Sequence, residues 1–196
     1  MSYFLGGSSG PASEAGAPDD EHVVARVLAG DSEAYAILVR RHQAALFRFA
    51  LGMVGSHDAA ADIAQDSLVK AYTGLSGCRD AARFGPWVRR IVRNRCLDYL
   101  KDRRRQNVSI ENETLIAGDA DETESRVYRD ELRRTVAEAL EGLPDSQREA
   151  FLLKHLEDRS YEEMAEMLDA SVSALKMRVK RAREALQLAL GRSIQT

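Results

Sequence analysis

The sequence predicts an all-α protein of two small helical domains joined by a flexible linker. Three observations carry that prediction. Ala, Leu, Glu and Arg dominate the 196-residue chain, and these residues favour helix. Apolar residues recur at three- and four-residue spacing, and few stretches alternate with a period of two. One stretch, residues 106–125, loses periodicity altogether. The length suits one or two small domains. An apolar content of 44% excludes wholesale disorder, and 30% charged residues suit a well-solvated helical surface.

Residues 1–18 are rich in Gly, Ser, Ala and Pro and read as a disordered tail. The opening Met1–Gly7 lacks a basic flank and is too short for a signal peptide. The first domain is expected over 19–105. Val23, Val24, Val27 and Leu28 form one apolar stripe, and Gly30 ends that helix. Asp31 or Ser32 caps the next, about Ser32 to Val54, whose stripe is Tyr35, Leu38, Val39, Leu46, Phe49, Ala50 and Met53. Gly55 stops it. Ser56 is a good N-cap for a helix from His57 to Thr73, with Ile63, Ala64, Leu68, Ala71 and Tyr72 inward. A loop of Gly and small residues, Gly74 to Asp80, leads to a strongly helical segment, about Ala82 to Arg104. Phe84, Trp87, Val88, Ile91, Leu97 and Leu100 are its apolar positions, and Pro86 fits only in its first turn.

Residues 106–125 carry Glu111, Glu113, Asp119, Asp121, Glu122 and Glu124, which makes them an acidic flexible linker. The second domain follows over 126–192. Its first helix carries Leu132, Val136, Ala139 and Leu140, and Leu143-Pro144 breaks it. Asp145 caps a helix holding Ala150, Phe151, Leu152 and Leu156. Ser160 begins a short helix, Tyr161 to Leu168. After a turn at Asp169–Ser171, a last helix runs from Val172 to about Leu190.

The formal net charge of −3 does not suggest nucleic acid, but its distribution does. Ten basic residues lie between Arg79 and Arg105 against Asp80, Asp98 and Asp102. Six lie between Lys176 and Arg192 against Glu184, and the stretch Asp130–Asp169 between the two runs is acidic. Two basic segments in an acidic chain point to two separate phosphate-facing surfaces. Cys78 and Cys96 form neither a CxxC nor a metal cluster, so a reducing cytoplasm is the natural compartment and an inert role the expected one for both. No cofactor is expected. No apolar run approaches the roughly 18 residues needed to span a bilayer.

Three segments carry the functional reading. The C-terminal SYEEMAEMLDASVSALKMRVKRAREAL fits a helix-turn-helix. Ser160 and Glu163 make a capping box. Met164, Ala165 and Leu168 face inward, as do Leu175, Val179, Ala182 and Leu186 of the second helix, which Ser171 caps. Ser173, Lys176, Met177, Arg178, Lys180, Arg181 and Arg183 remain for the outer faces. A helix with one apolar stripe and a basic exposed surface can enter a major groove.

In ARFGPWVRRIVRNRCLDYLKDRRR, Trp87 and Ile91 go with the core while Arg89, Arg90, Arg93, Arg103, Arg104 and Arg105 point elsewhere. The Asn94 amide both donates and accepts, so it suits a base edge, and Asp98, one turn on, can hold an arginine. The preceding loop has little hydrophobic filling and leaves room for an unstacked base. Single-stranded bases bind such a basic track by stacking and edge contacts.

In DAAADIAQDSLVKAY, the exposed face of Asp62, Gln65, Asp66, Val69 and Lys70 leans acidic. It repels DNA and so suits a protein partner. Metal ligation by Asp58, Asp62 and Asp66 is the competing reading. The three lie in a row on one helix without a convergent His or Glu, which disfavours it.

The order of DxxxDIxQDSxxKAY, FxxWVxxIxxNxxxDxLxxxRR, an acidic linker and a helix-turn-helix ending LKMRVKRAREAL resembles the extracytoplasmic-function (ECF) sigma factors of the sigma-70 family. The resemblance covers about residues 20–190. It implies that the first domain is region 2, a four-helix domain, and the second is region 4. Asp62, Gln65, Asp66 and Val69 then meet the β′ clamp coiled coil of core RNA polymerase. Arg89, Arg90, Arg93, Asn94 and Lys101 meet the −10 element and help melt it. Ser173, Lys176, Met177, Arg178, Lys180, Arg181 and Arg183 meet the −35 element, while the region 4 surface also meets the β flap. The resemblance further implies a cytoplasmic protein, not an enzyme, controlled by an anti-sigma factor that is often membrane-anchored. Two other classes compete. A two-domain repressor explains the C-terminal half but leaves the Asp62 face and the Asn94 helix unaccounted for. A metal-dependent nuclease lacks a nucleophile–base set.

Overall fold

The computed structural model describes residues 18–106 and 134–193. The expected N-terminal tail, the acidic linker, and the opening of the second domain with Leu132 lie outside these residues. Among the described residues there are eight helices and no strand.

Helix α1 spans Asp20–Leu28, with the Asp19 carboxylate accepting from the His22 amide at 2.8 Å. Val23 and Val24 are fully buried, but Leu28, in the last helical position, is exposed. Asp20 ties this helix to the next through Arg41 and, at 2.8 Å, His42 Nε2. Helix α2, Tyr35–Val54, starts later than expected, because Ser32–Ala34 forms a tight 3₁₀ turn capped by Asp31. Gly55 closes α2 in the left-handed region at φ 75°, where a side chain is strained. Helix α3 runs His57–Thr73, and Ser56 Oγ accepts from the Ala59 amide, as a capping serine should. Tyr35 Oη donates to the Leu68 carbonyl at 2.7 Å and locks α2 to α3. Tyr72, expected inward, sits at the rim: its ring lies 5.0 Å from that of Tyr35, but the residue is exposed.

Two further 3₁₀ turns, Leu75–Gly77 and Ala81–Arg83, lead into helix α4, Phe84–Gln106. Pro86 occupies its first turn, where an amide has no intrahelical acceptor to lose. The buried ridge of α4 is Phe84, Val88, Val92, Cys96 and Leu100, at a strict spacing of four. The expected stripe is therefore off-centre: Trp87, Ile91 and Leu97 flank the ridge and are only partly buried. Cys96 fills the place of a small hydrophobe.

In the second half, residues 134–141 are the described part of helix α5. Helix α6 is Asp145–His155, and its N-cap is Pro144; Asp145, expected as the cap, is the first helical residue and pairs with Arg104 instead. Helix α7 is Tyr161–Leu168 and helix α8 Val172–Ser193. The halves are in contact. Helix α2 packs on α6, and the buried apolar residues of both halves form one cluster from Val23 to Leu186. At the crossing, a Cβ on Gly52 would lie 2.7 Å from Leu152 Cδ2. A Cβ on Gly55 would run into the Glu141 carboxylate, so that glycine serves both the helix stop and the approach of α5. Arg148 of α6 donates to the carbonyls of Met53, Glu141 (2.6 Å) and Leu143 (3.2 Å), fastening the break between α5 and α6 to the end of α2.

Candidate nucleic-acid and protein-binding surfaces

The helix-turn-helix forms as its sequence dictates. Ser160 Oγ accepts from the Glu163 amide at 3.1 Å, and the Glu163 carboxylate accepts from the Ser160 amide at 2.8 Å. That amide bond leads in holding the Glu163 carboxyl below its ordinary range, with Arg159 adding to it. Asp169 takes the left-handed conformation at φ 49° to turn the chain. Ser171 Oγ then accepts from the Ala174 amide at 3.2 Å and starts α8. Met164, Leu175, Val179, Ala182 and Leu186 are buried, which fixes the rotation of α8. Ser173, Lys176, Met177, Lys180, Arg181 and Arg183 consequently lie exposed on one basic surface, and Arg178 is half-buried at its edge. Lys176 Nζ stands 5.6 Å from the Tyr161 ring centroid, and Lys154 Nζ 5.4 Å. Tyr161 thus steadies Lys176 from the neighbouring helix. The aromatic one residue past the cap is the signal that sequence reasoning passed over.

The α4 surface differs from expectation. Arg90, Asn94 and Lys101 are exposed, and Asn94 Oδ1 accepts from Arg93 Nη1 at 3.4 Å. Arg90 lines a shallow cleft with Arg83, Trp87 and Glu166, so it too borders the second half. Arg89 and Arg93, expected to face DNA, are covered. Arg89 is buried and its guanidinium pairs with Glu157, a side chain only 4% exposed. Burial pulls the Arg89 guanidinium below its ordinary value, against the pull of Glu157. Arg93 engages Glu149 through both carboxylate oxygens, one of them at 3.3 Å from Nη2. Glu149 is buried in the second turn of α6, and that burial raises its carboxyl although Arg93 opposes it. The physical reason is the placement of α6, packed on α2, and of the loop after it, from which Glu149 and Glu157 reach α4. Two desolvated carboxylates must find cations, and Arg89 and Arg93 are within reach. The loop after α3 is also fuller than expected, since Leu75 and Cys78 are buried in it.

On α3, Asp62, Gln65 and Asp66 are exposed, and Val69 is an exposed aliphatic side chain beside them. Asp66 pairs with Arg95 of α4 at 2.6 Å, which holds the carboxylate at the edge of the face. Gln65 and Val69 also border an open groove of about 1010 Å³ between α2 and α3, floored by Tyr35, Val39, Phe47 and Leu68. An apolar trough beside a polar, acidic rim suits a protein surface, not a polyanion. The groove was not foreseen, because it needs the relative placement of two helices. Glu149 and Glu157 were passed over for the same reason: their partners are 56 and 68 residues away in the chain, as Arg93–Glu149 and Arg89–Glu157.

Residues 38–106 match the family model described as Sigma-70 region 2, and residues 133–186 match Sigma-70, region 4. The chain is 32% identical over 180 residues to the RNA polymerase sigma-H factor of Pseudomonas aeruginosa, covering 87% of this chain and 93% of that one. It is 35% identical over 176 residues to the ECF RNA polymerase sigma-E factor of Salmonella typhimurium, covering 85% and 92%. Two solved structures are similar. The sigma factor RpoE in complex with the anti-sigma factor NepR from Bartonella quintana has a TM-score of 0.65 at 26% identity, covering 80% of this chain and 96% of that one. CnrH in complex with the cytosolic domain of CnrY has a TM-score of 0.68 at 28% identity, covering 88% and 97%.

Proposed function

The chain belongs to the sigma-70 family, in its ECF group, and from that premise we propose how its two halves divide the work of promoter recognition. As a sigma factor it binds core RNA polymerase, directs it to promoters and promotes their opening. Residues 19–105 form the unit that docks on polymerase and meets the −10 element. Residues 126–192 form the unit that meets the −35 element.

The observation that carries this division is the segregation of charge over exposed faces. Asp62, Gln65, Asp66 and Val69 make an acidic, partly apolar face on α3, suited to the β′ clamp coiled coil. Lys176, Lys180, Arg181 and Arg183 make a cationic face on α8, suited to duplex DNA, with Ser173 and Met177 among them. Met177 is 46% exposed and offers apolar contact to a thymine methyl where a polar side chain would offer a hydrogen bond. Arg90, Asn94 and Lys101, joined by Arg89 and Arg93 once these are released, form the track for unwound DNA. The α7–α8 unit also meets the β flap.

The protein works in the cytoplasm and carries out no bond-making chemistry; that belongs to the polymerase. No described helix is long and apolar enough to cross a membrane. One structural neighbour was solved in complex with an anti-sigma factor, and we infer that an anti-sigma factor, free or membrane-anchored, restrains this chain.

Charge reversal tests the assignment of α3. Asp62→Lys combined with Asp66→Lys is expected to weaken association with core polymerase at least tenfold, about 1.4 kcal/mol. Binding of the free protein to DNA should change little or tighten slightly. Equal loss of both activities removes α3 from the polymerase interface.

A further inference from the structure

We propose that Tyr161 is a specificity-determining residue of the duplex-facing surface: its ring holds the Lys176 ammonium ready for one base edge and leaves the donors of that ammonium free. Tyr161 acts through Lys176 and is thus a positioning residue. The proposal rests on the reading of α8 as the helix that meets the −35 element. Lys176 Nζ stands 5.6 Å from the centroid of the Tyr161 ring, within the range over which an aromatic face attracts a cation. Lys176 is exposed one turn into α8, and among the described residues it forms no ion pair and no side-chain hydrogen bond. Lys180, the next lysine on the helix, faces Glu184 at 3.8 Å instead. Lys176 therefore keeps its charge and its donors for a partner outside the chain.

The ring itself is firmly placed. Tyr161 is the first residue of α7, partly buried against the core, and the capping box of Ser160 and Glu163 sets the backbone on which it stands. Lys154, in the last turn of α6, also approaches the ring, at 5.4 Å. Its ammonium donates to the Arg159 carbonyl at 2.9 Å and ties down the loop before α7, while the Arg159 guanidinium meets Glu163 at 3.0 Å. One lysine anchors the loop that carries the ring, and the ring then holds the other. A free lysine side chain samples many rotamers and loses that freedom on meeting a base. A carboxylate partner would reduce the loss but would occupy the donors and cancel the charge. An aromatic face orders the cation and does neither. An ammonium only donates, so the edge it selects carries acceptors: guanine O6 and N7 first, thymine O4 second.

Binding-site selection tests this with the full chain assembled on core polymerase. The probe is a duplex library randomised over the upstream element, and the readouts are the base preference at each position and the salt dependence of the affinity. Tyr161→Leu removes the ring. Tyr161→Phe keeps the ring and removes the hydroxyl. Phe carrying ring fluorines, introduced in place of Tyr161, keeps the shape and weakens the negative face, so it stays decisive if Tyr161→Leu loses helical circular dichroism. Lys176→Met removes the ammonium and keeps a long unbranched side chain, and it is also combined with Tyr161→Leu.

Lys176→Met should erase a preference of about tenfold for an acceptor-bearing base at one position. Tyr161→Leu and the fluorinated ring should weaken that preference, at the same position, by about two- to fivefold, the range of a cation–ring contact at an exposed site. Other positions should not change. Tyr161→Phe should match the wild type, and adding Tyr161→Leu to Lys176→Met should have no further effect. A loss spread evenly over the positions, with the salt slope lowered by about one, makes Tyr161 a phosphate contact and overturns the proposal. Tyr161→Phe as poor as Tyr161→Leu overturns it too, since the hydroxyl is then the active group. So do additive effects in the double variant, or a preference that every Tyr161 variant leaves intact. If the wild type enriches an upstream sequence and Lys176→Met alters no position, the base-reading role of Lys176 fails and takes the proposal with it. If the wild type enriches no upstream sequence, the assignment of α8 itself fails.

Discussion

Single side chains show how far chemistry can be read without a fold. Ser56, Ser160, Glu163 and Ser171 cap the helices that their local order announces, because a cap needs only residues three positions apart. Arg89 and Arg93 show the opposite. Both are basic residues on a basic helix, and only the arrival of Glu157 and Glu149 from the other half decides that they are covered. The two cysteines fall between these cases. Their burial pushes the Cys96 thiol up to about 12, and burial together with Asp80 raises Cys78 as well. A thiolate is the reactive form, so neither reacts readily in the folded protein. A thiol reagent at about pH 8 is expected to label neither cysteine in the native chain and both after unfolding in urea. Rapid labelling of Cys96 in the folded state would contradict its packing in the α4 ridge.

Helices are more legible than their orientations. The spans of α3 and α7, and the start of α8, follow from the sequence, since Gly, Ser and Pro punctuate a strong periodicity. The face of α4 is less secure, because Trp87 and Ile91 outweigh Val92 and Cys96 in any apolar count, yet the smaller pair lies on the ridge that packs. The late start of α2 comes from the Asp31-capped 3₁₀ turn before it, whereas the groove between α2 and α3 depends on tertiary placement and leaves no local trace. For α8 the reading is firmer: four buried positions, Leu175, Val179, Ala182 and Leu186, fix which side faces outward. Lys176 is exposed near the start of α8 and lies over the Tyr161 ring, and we propose that it meets base edges. Lys176→Ala is expected to reduce discrimination between promoters differing in the upstream element, by about 1–3 kcal/mol for a well-formed base contact. A uniform loss across sequences, with the salt slope reduced by about one, identifies Lys176 as a phosphate contact instead.

The whole molecule joins two modest surfaces that become effective together. With a net charge of −3 and its densest basic runs on two helices, the free chain is expected to have little general affinity for DNA. We infer that core polymerase fixes the separation of the halves and so makes their contacts add as effective concentration. The sequence made two helical units visible through the loss of periodicity between them. Their mutual packing, through α2 on α6 and Arg148 on the Met53 carbonyl, was not visible, because such contacts pair residues far apart in the chain. Run-off transcription with purified core enzyme on genomic fragments brings the surfaces together in one readout. RNA chains beginning at defined positions, dependent on this protein and lost in the Asp62→Lys, Asp66→Lys variant, are the expected result. A chain that binds core enzyme but starts no RNA at a defined position, or that starts it equally well without the α3 carboxylates, contradicts the account.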